Sequence, residues 1–234
     1  MNKVLRYAIV LMCVCGASGI GVGKIYDSLK TKIEEQQKKL FNNTLKQVFP
    51  AETAKIEPAP GMDANEIADE DRVYVGLDSA GKPVAYAATG AQQGYQSEIR
   101  VLVSVKAGEK EPSVLPKDPL VVNVRVYDAT ETPGLGDNIK KIAATKSLWG
   151  VLFDGSETPS DTPKVPKFQA QFSSKTLAQL KVVKTADPNS IEAVTGATIS
   201  SEATTEAVKK AIGKIQNYLS DNSTRSAHKP TLEP

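Results

Sequence analysis

Histidine is almost absent from this chain. The single one among 234 residues, His228, lies among Ser, Thr, Lys and Pro, which excludes His-based catalytic triads and multi-histidine metal sites. Cysteine is nearly as scarce. Cys13 and Cys15 both sit in one apolar run, so there is no four-cysteine zinc site, no C-x-x-C redox pair and no disulfide scaffold. They read as lipid-facing or helix-packing residues. No catalytic residue and no metal ligand is expected, and any redox chemistry has to arrive with a cofactor. A surplus of one charge is missing too, with 29 Lys+Arg against 27 Asp+Glu. Residues 1–24 carry Lys3, Arg6 and Lys24 and no acid, so the other 26 bases face all 27 acids. Nothing in that balance suggests a nucleic-acid-binding surface.

Long apolar runs are also missing, with one exception. Between Arg6 and Lys24 lie 17 uncharged residues, YAIVLMCVCGASGIGVG. As a helix they reach about 25 Å at ~1.5 Å per residue, slightly short of the ~30 Å hydrocarbon core unless the flanking bases snorkel. The rival reading is a cleaved signal peptide, with Lys3 and Arg6 as its basic region and Ala17-Ser18-Gly19 as its small residues. A lipoprotein signal is disfavoured because Met12-Cys13-Val14 fits poorly before Cys15. An uncleaved anchor is preferred because a helical pattern continues past it. The basic end then stays in the cytoplasm and the body lies outside.

From Ile25 to Pro50 the pattern is an amphipathic helix with Ile25, Leu29, Ile33, Leu40 and Val48 roughly on one side. Residues 51–71, acidic and Pro-bearing, read as an irregular connection. Short alternating runs then predict strands at 72–77, 83–89, 98–105 and 121–127, an antiparallel meander and not βαβ units. Asp78 to Gly81 reads as a hairpin turn. Loops are expected at 107–119 and 154–167, a short helix at Asn138–Trp149 and a strand at KFQAQF, 167–172. Ala203, Ala207, Val208, Ala211, Ile212, Ile215 and Leu219 recur at helical spacing, which predicts a helix over 202–219. The polar residues 220–234 read as a disordered tail.

Two clusters stand out. In Glu192-Ala-Val-Thr-Gly-Ala-Thr198-Ile-Ser-Ser201 the chain passes through Gly196 into a helix start, where free N–H groups and the helix dipole favour an anion such as phosphate. The ordinary alternative is an N-cap by Ser200 or Ser201. A self-activated nucleophilic Thr is excluded, since no base is near in sequence. The second cluster, Glu131-Thr-Pro-Gly-Leu-Gly-Asp137, is a rigid, side-chain-poor loop suited to a tight turn or to packing on a flat ligand. It is no dinucleotide fingerprint, because the third glycine and the βαβ setting are missing.

With Gly94-Tyr95, the strand at 98–105 and Trp149, the two clusters carry a resemblance to the FMN-binding subunits of respiratory ion pumps. The chain resembles the G subunit of the Rnf complex and its relative, the C subunit of the sodium-translocating NADH:quinone oxidoreductase, over most of residues 1–219. The resemblance implies an α+β fold in which a single transmembrane helix precedes an extracytoplasmic FMN-binding domain with antiparallel sheet and flanking helices. Its expected parts are an anchor at 1–24, a juxtamembrane helix and linker at 25–71, the FMN domain at 72–219 and the tail at 220–234. It implies that Thr198 is esterified to the phosphate of FMN by a flavin transferase that uses FAD, which explains the missing base. Thr195, Gly196, Ala197 and Ser200 would sit around that phosphate, and Glu131, Thr132, Gly134, Leu135 and Gly136 would line the flavin site. Glu192 and Thr195 depart from the more usual Asp and Ser, and Asp137 looks more like the Rnf member. The implied role is an electron relay in a complex with other membrane and redox subunits, one of them a second carrier of covalent FMN, working ultimately between ferredoxin and NAD. The other classes are the C subunit of the quinone reductase, a flavin-free anchored binding or scaffold protein, and an enzyme acting alone on a soluble substrate. For the last, the sequence offers no acid/base or metal constellation.

Overall fold

The computed structural model of the protein describes residues 3–62, 67–108, 116, 118–141, 165–185 and 187–227. Two compact units are present, one over residues 1–43 and one from Thr44 onward.

The first unit is helical. Helix α1, Lys3–Val48, runs without interruption from the apolar segment through the amphipathic one and ends two residues before Pro50, which cannot continue a helix. Its most apolar 18-residue window has a mean hydropathy of 1.9, and none of that window is buried. The helix is long and apolar enough to cross a membrane.

The second unit is built on a five-stranded antiparallel sheet in the order β1-β2-β3-β4-β5. Its strands are β1 (Lys55–Pro58), β2 (Val73–Leu77), β3 (Pro83–Gln93), β4 (Glu98–Lys106) and β5 (Val121–Asp128). The four predicted strands are all present. The expectation of an irregular connection at 51–71 is corrected by β1, which pairs with β2 from Lys55↔Leu77 to Pro58↔Tyr74. Its brevity and its proline are tolerable because it is an edge strand. The β2–β3 turn is the predicted one: Gly81 takes φ +78°, and Asp78 Oδ1 accepts the Ala80 and Lys82 amides at 2.8 Å each.

Register sets the two faces. The pairs Val75↔Tyr86↔Val105, Val73↔Ala88↔Val103↔Val124 and Gly90↔Val101 put the period-2 apolar residues of β2 to β5 on one side. Helix α3, Thr198–Ala227, lies over that side through Ala203, Ala207, Val208, Ala211, Ile212 and Ile215. The approach is close because the meeting residues are small. A Cβ on Gly90 would stand 1.9 Å from the Ala207 carbonyl oxygen. The other face holds Ser104 and Asn123, which close the C-terminal end of α1: the Ser104 hydroxyl and Asn123 Nδ2 donate to the Val48 carbonyl at 2.6 and 3.1 Å. Those two bonds satisfy a last-turn carbonyl that has no partner within the helix.

Three further expectations are corrected. The segment 167–172 is helical, with α2 at Lys167–Ala170. The alternation of Phe168, Ala170 and Phe172 misleads, because the two phenylalanines are also four apart, and both are buried edge-to-face with ring centroids 5.5 Å apart. Helix α3 begins at Thr198, four residues earlier than the periodicity predicts, and runs to Ala227, so residues 220–227 are helix and not tail. Of the helix expected at Asn138–Trp149, the described part, residues 138–141, is not α-helical and includes the end of a 3-10 turn at Gly136–Ile139. Residues 142–149 lie outside the described residues, as do most of 107–119 and 154–164 and all of 228–234. Two short parallel strands, β6 (Val182–Val183) and β7 (Ile191–Glu192), lead toward α3.

Candidate functional site

The two clusters that stand out in the sequence meet in space, and Glu131 joins them. Its side chain is only 4% exposed. Oε2 accepts the Ser200 hydroxyl at 2.6 Å, and Oε1 accepts the amides of Ser97 and Gln96 at 3.1 and 3.2 Å. Those amides belong to the tight turn between β3 and β4, where the Gly94 amide donates to the Ser97 carbonyl at 2.8 Å. Successive amides aimed at one carboxylate form an anion-binding nest. Burial alone would raise the Glu131 pKa, but the Ser200 hydroxyl and the amides of Ser97, Gln96 and Tyr95 outweigh it and hold the carboxyl below its ordinary 4.5. The two glycines beside Glu131 are there for space. A Cβ on Gly94 would come within 2.6 Å of Glu131 Oε1, and one on Gly136 within 2.8 Å of both Glu131 Cβ and Ser200 Oγ.

The loop between Glu131 and Gly136 turns on itself. The Thr132 carbonyl accepts the Leu135 and Asp137 amides at 3.2 Å each, and Asn138 Nδ2 donates to the Gly134 carbonyl at 2.8 Å. Gly134 has φ +80° and Gly196 φ +77°, the left-handed region that only glycine enters freely. Leu135 is exposed and meets the Glu192–Ser201 cluster directly: a Cβ on Gly196 would be 2.9 Å from its Cδ2.

The start of α3 separates its hydroxyls into two kinds. Ser200 is committed to Glu131. Ser201 donates to the Ala197 carbonyl at 2.9 Å and accepts the Val194 amide at 3.0 Å. Thr204 and Thr205 donate back to the Ser200 and Ser201 carbonyls at 2.7 and 2.9 Å. Thr198 is the exception in these two turns. It is half-buried, and among the described residues its hydroxyl has no hydrogen-bond partner. The first intrahelical bond runs from the Ser201 amide to the Ala197 carbonyl at 2.9 Å. Ala197 therefore stands where a capping residue would and carries no oxygen to cap with. Neither Ser200 nor Ser201 is the N-cap, which corrects that alternative. Among the described residues no protein group accepts the Thr198, Ile199 or Ser200 amides.

The expected site residues are thus brought together, but not in equal positions. Thr195, Gly196, Gly134 and Leu135 are exposed, Thr132 and Thr198 half-buried, and Ala197, Gly136, Glu131 and Ser200 buried. Gln96 and Ser97 escape sequence reasoning because they act through backbone amides. Gly94, a turn residue between two strands, is the one signal that marks them. Chemically, the site offers a hydroxyl at a helix N-terminus whose free amides and dipole suit an anion, beside a glycine loop that presents an apolar side chain.

A helix start with unpaired amides facing a glycine loop, set on a meander with one covering helix, defines an α+β domain suited to an anionic cofactor. Residues 94–213 match the FMN-binding domain model, and the chain belongs to that family. Its relatives include the G subunit of the Na+-translocating ferredoxin:NAD+ oxidoreductase complex of Acetobacterium woodii, 28% identical over 79% of this chain and 78% of that one. The G subunit of the ion-translocating oxidoreductase complex of Shewanella oneidensis is 32% identical over 77% and 74%. Among solved structures, the C subunit of the Na+-translocating NADH-quinone reductase from Parabacteroides distasonis is 17% identical, covers 79% of this chain and 94% of its own, and has a TM-score of 0.46.

Proposed function

We propose that this protein is the electron-relay G subunit of a membrane-bound, ion-translocating ferredoxin:NAD oxidoreductase, with FMN attached through its phosphate to Thr198. The observation that carries this reading is the uncommitted Thr198 hydroxyl at an uncapped helix start, in a chain of the FMN-binding family. The residues present fit the group. The amides of Thr198, Ile199 and Ser200 and the dipole of α3 would hold the remaining phosphodiester charge, while Gly196 and Ala197 let it approach the backbone. Gly134 and Leu135 would face the ring. Glu131 acts one step back: its hydrogen bonds with the Gln96 and Ser97 amides and the Ser200 hydroxyl fix the 94–97 turn, the glycine loop and the helix start against each other. When bound, FMN supplies one-electron acceptance and donation, and the protein's part is to hold and tune it.

A transferase on another protein would form the bond, consistent with the lack of any basic side chain bonded to Thr198 among the described residues. The covalent tether would keep the flavin from diffusing away on the extracytoplasmic side. Relatives named as subunits of ferredoxin:NAD oxidoreductase complexes support other membrane and redox subunits as partners. The basic N-terminus supports a cytoplasmic start with the body outside.

The test is the intact mass of the full-length protein coexpressed with a flavin transferase, beside Thr198→Val made the same way. One FMN less one water on the parent and none on the variant is the expected result. An unmodified parent, with the transferase active on a control protein, would leave the segment as a plain helix start.

A further inference from the structure

Past the apolar run, α1 carries a second pattern that a bilayer does not explain. Val22, Tyr26, Leu29 and Ile33 follow one another in steps of four, three and four, and Gln36 continues the row. That is the 3.5-residue spacing of a coiled-coil seam. Tyr26 is 60% exposed, and Leu29 and Ile33 are 45% exposed each. A shallow groove runs along this stretch between Leu29, Lys32, Ile33, Gln36 and Gln37. Counted from Gly23 at ~1.5 Å per residue, Leu29 lies about 9 Å and Ile33 about 15 Å beyond the apolar run. The apolar run is about 5 Å short of the hydrocarbon core and the headgroup layer adds only about 5–7 Å, so lipid reaches Tyr26 and Leu29 but does not cover Ile33.

Charge around the helix says what does. At about 100° per residue, Lys30 and Lys32 fall on the two flanks of the seam, with Lys39 beside Lys32. Asp27, Glu34 and Glu35 all fall on the back. A second copy of this chain would span the membrane in the same direction, so it could pair only in parallel, which sets Lys30 against Ile25 and Lys32 against Gln37 and gives neither lysine an acid to meet. A helix with acidic flanks meets the same surface with complementary charge.

Resting on the reading of this chain as a subunit of a membrane complex, we infer that the Tyr26–Leu29–Ile33 seam docks, at the bilayer surface and just beyond it, against a helix of another membrane subunit that carries Asp or Glu on its flanks. The contact would fix the protein's place in the complex through the apolar seam and its specificity through Lys30 and Lys32.

The experiment places a photo-crosslinking residue at Ile33 or, as control, at Thr31 on the opposite face, in the full-length chain in membranes of its own cell. Cross-linked peptides are sequenced by mass spectrometry, and the FMN carried by the chain is measured in the same sample. From position 33 the expected product is an adduct with an acid-bearing segment next to a transmembrane helix of another membrane subunit, at least tenfold above that from position 31. Lys30→Glu with Lys32→Glu should cut the adduct at least fivefold while FMN stays attached. An adduct with a second copy or with lipid, equal yield from both positions, or an adduct indifferent to charge reversal would each overturn the inference. A chain without FMN would instead sink the proposed function, and the cross-link would still report on the docking.

Discussion

Glu131 is where the candidate site can be broken without touching Thr198. Glu131→Ala takes the acceptor from the Ser200 hydroxyl and from the Ser97 and Gln96 amides. A buried donor left without an acceptor costs about 1–3 kcal/mol. Gln96 is exposed and Ser97 half-buried, so water takes up part of the loss, and Ser200, 1% exposed, bears the full cost. The sum is about 3–5 kcal/mol, a large share of the ~5–15 kcal/mol that holds a domain together. Glu131→Gln keeps the shape and Oε1, lets Ser200 turn round to accept, and loses only the charge, about 1–2 kcal/mol. The two variants also differ in their pH dependence. The folded carboxyl lies below its ordinary 4.5, so the unfolded chain binds that proton more readily. The contribution is complete above the ordinary carboxylate range and is lost as pH falls through the depressed folded value. Urea unfolding of the detergent-solubilised chain, followed by far-UV circular dichroism from neutral pH to below pH 4.5, measures both effects. Glu131→Ala within about 0.5 kcal/mol of the parent, or a Glu131→Gln protein as acid-sensitive as the parent, would refute the view that this carboxylate organises the site.

Gly90→Ala drives a Cβ to 1.9 Å from a backbone oxygen of α3. Because the helix must move bodily, we expect a loss of about 3 kcal/mol or more, seen as a lower midpoint in thermal unfolding. Ser104→Ala removes one of two donors to the Val48 carbonyl and should cost about 1 kcal/mol. Adding Asn123→Ala strands that carbonyl, and the pair should cost more than the sum of the single changes in a double-mutant cycle.

Strands β2 to β5 were legible because valines and tyrosines alternate with a period of two and the register keeps that alternation in phase across the sheet. Strand β1 was not, since four residues with an acid and a proline carry no period, and only the neighbouring edge makes them a strand. KFQAQF fits both periods at once, and burial of Phe168 and Phe172 on one side decided it. The start of α3 was misplaced because Gly196 and its neighbouring hydroxyls look like loop, although the first turn, closed by the Ser201 amide on the Ala197 carbonyl, already begins at Thr198. For the site, each cluster could be read alone and the family likeness linked them. The physical link is one hydrogen bond between residues 69 apart in sequence, and no local pattern encodes it. Gln96 and Ser97 were invisible for a simpler reason: any residue type has an amide to give.

Helix α3 covers the inner face of a sheet whose strands all precede it in the chain. During synthesis the valines of β2 to β5 therefore have nothing to pack against until residues 203–219 have left the ribosome, and a bare, half-apolar meander is the species that meets other chains in the meantime. The Glu131–Gly136 loop and the helix start mature on the same schedule, because Glu131 waits for Ser200 just as the valines wait for Ala207 and Ile212. Any catalyst that recognises the folded loop would thus find its target only in chains that have finished folding, and the flavin proposed on Thr198 would be a stamp of completed assembly.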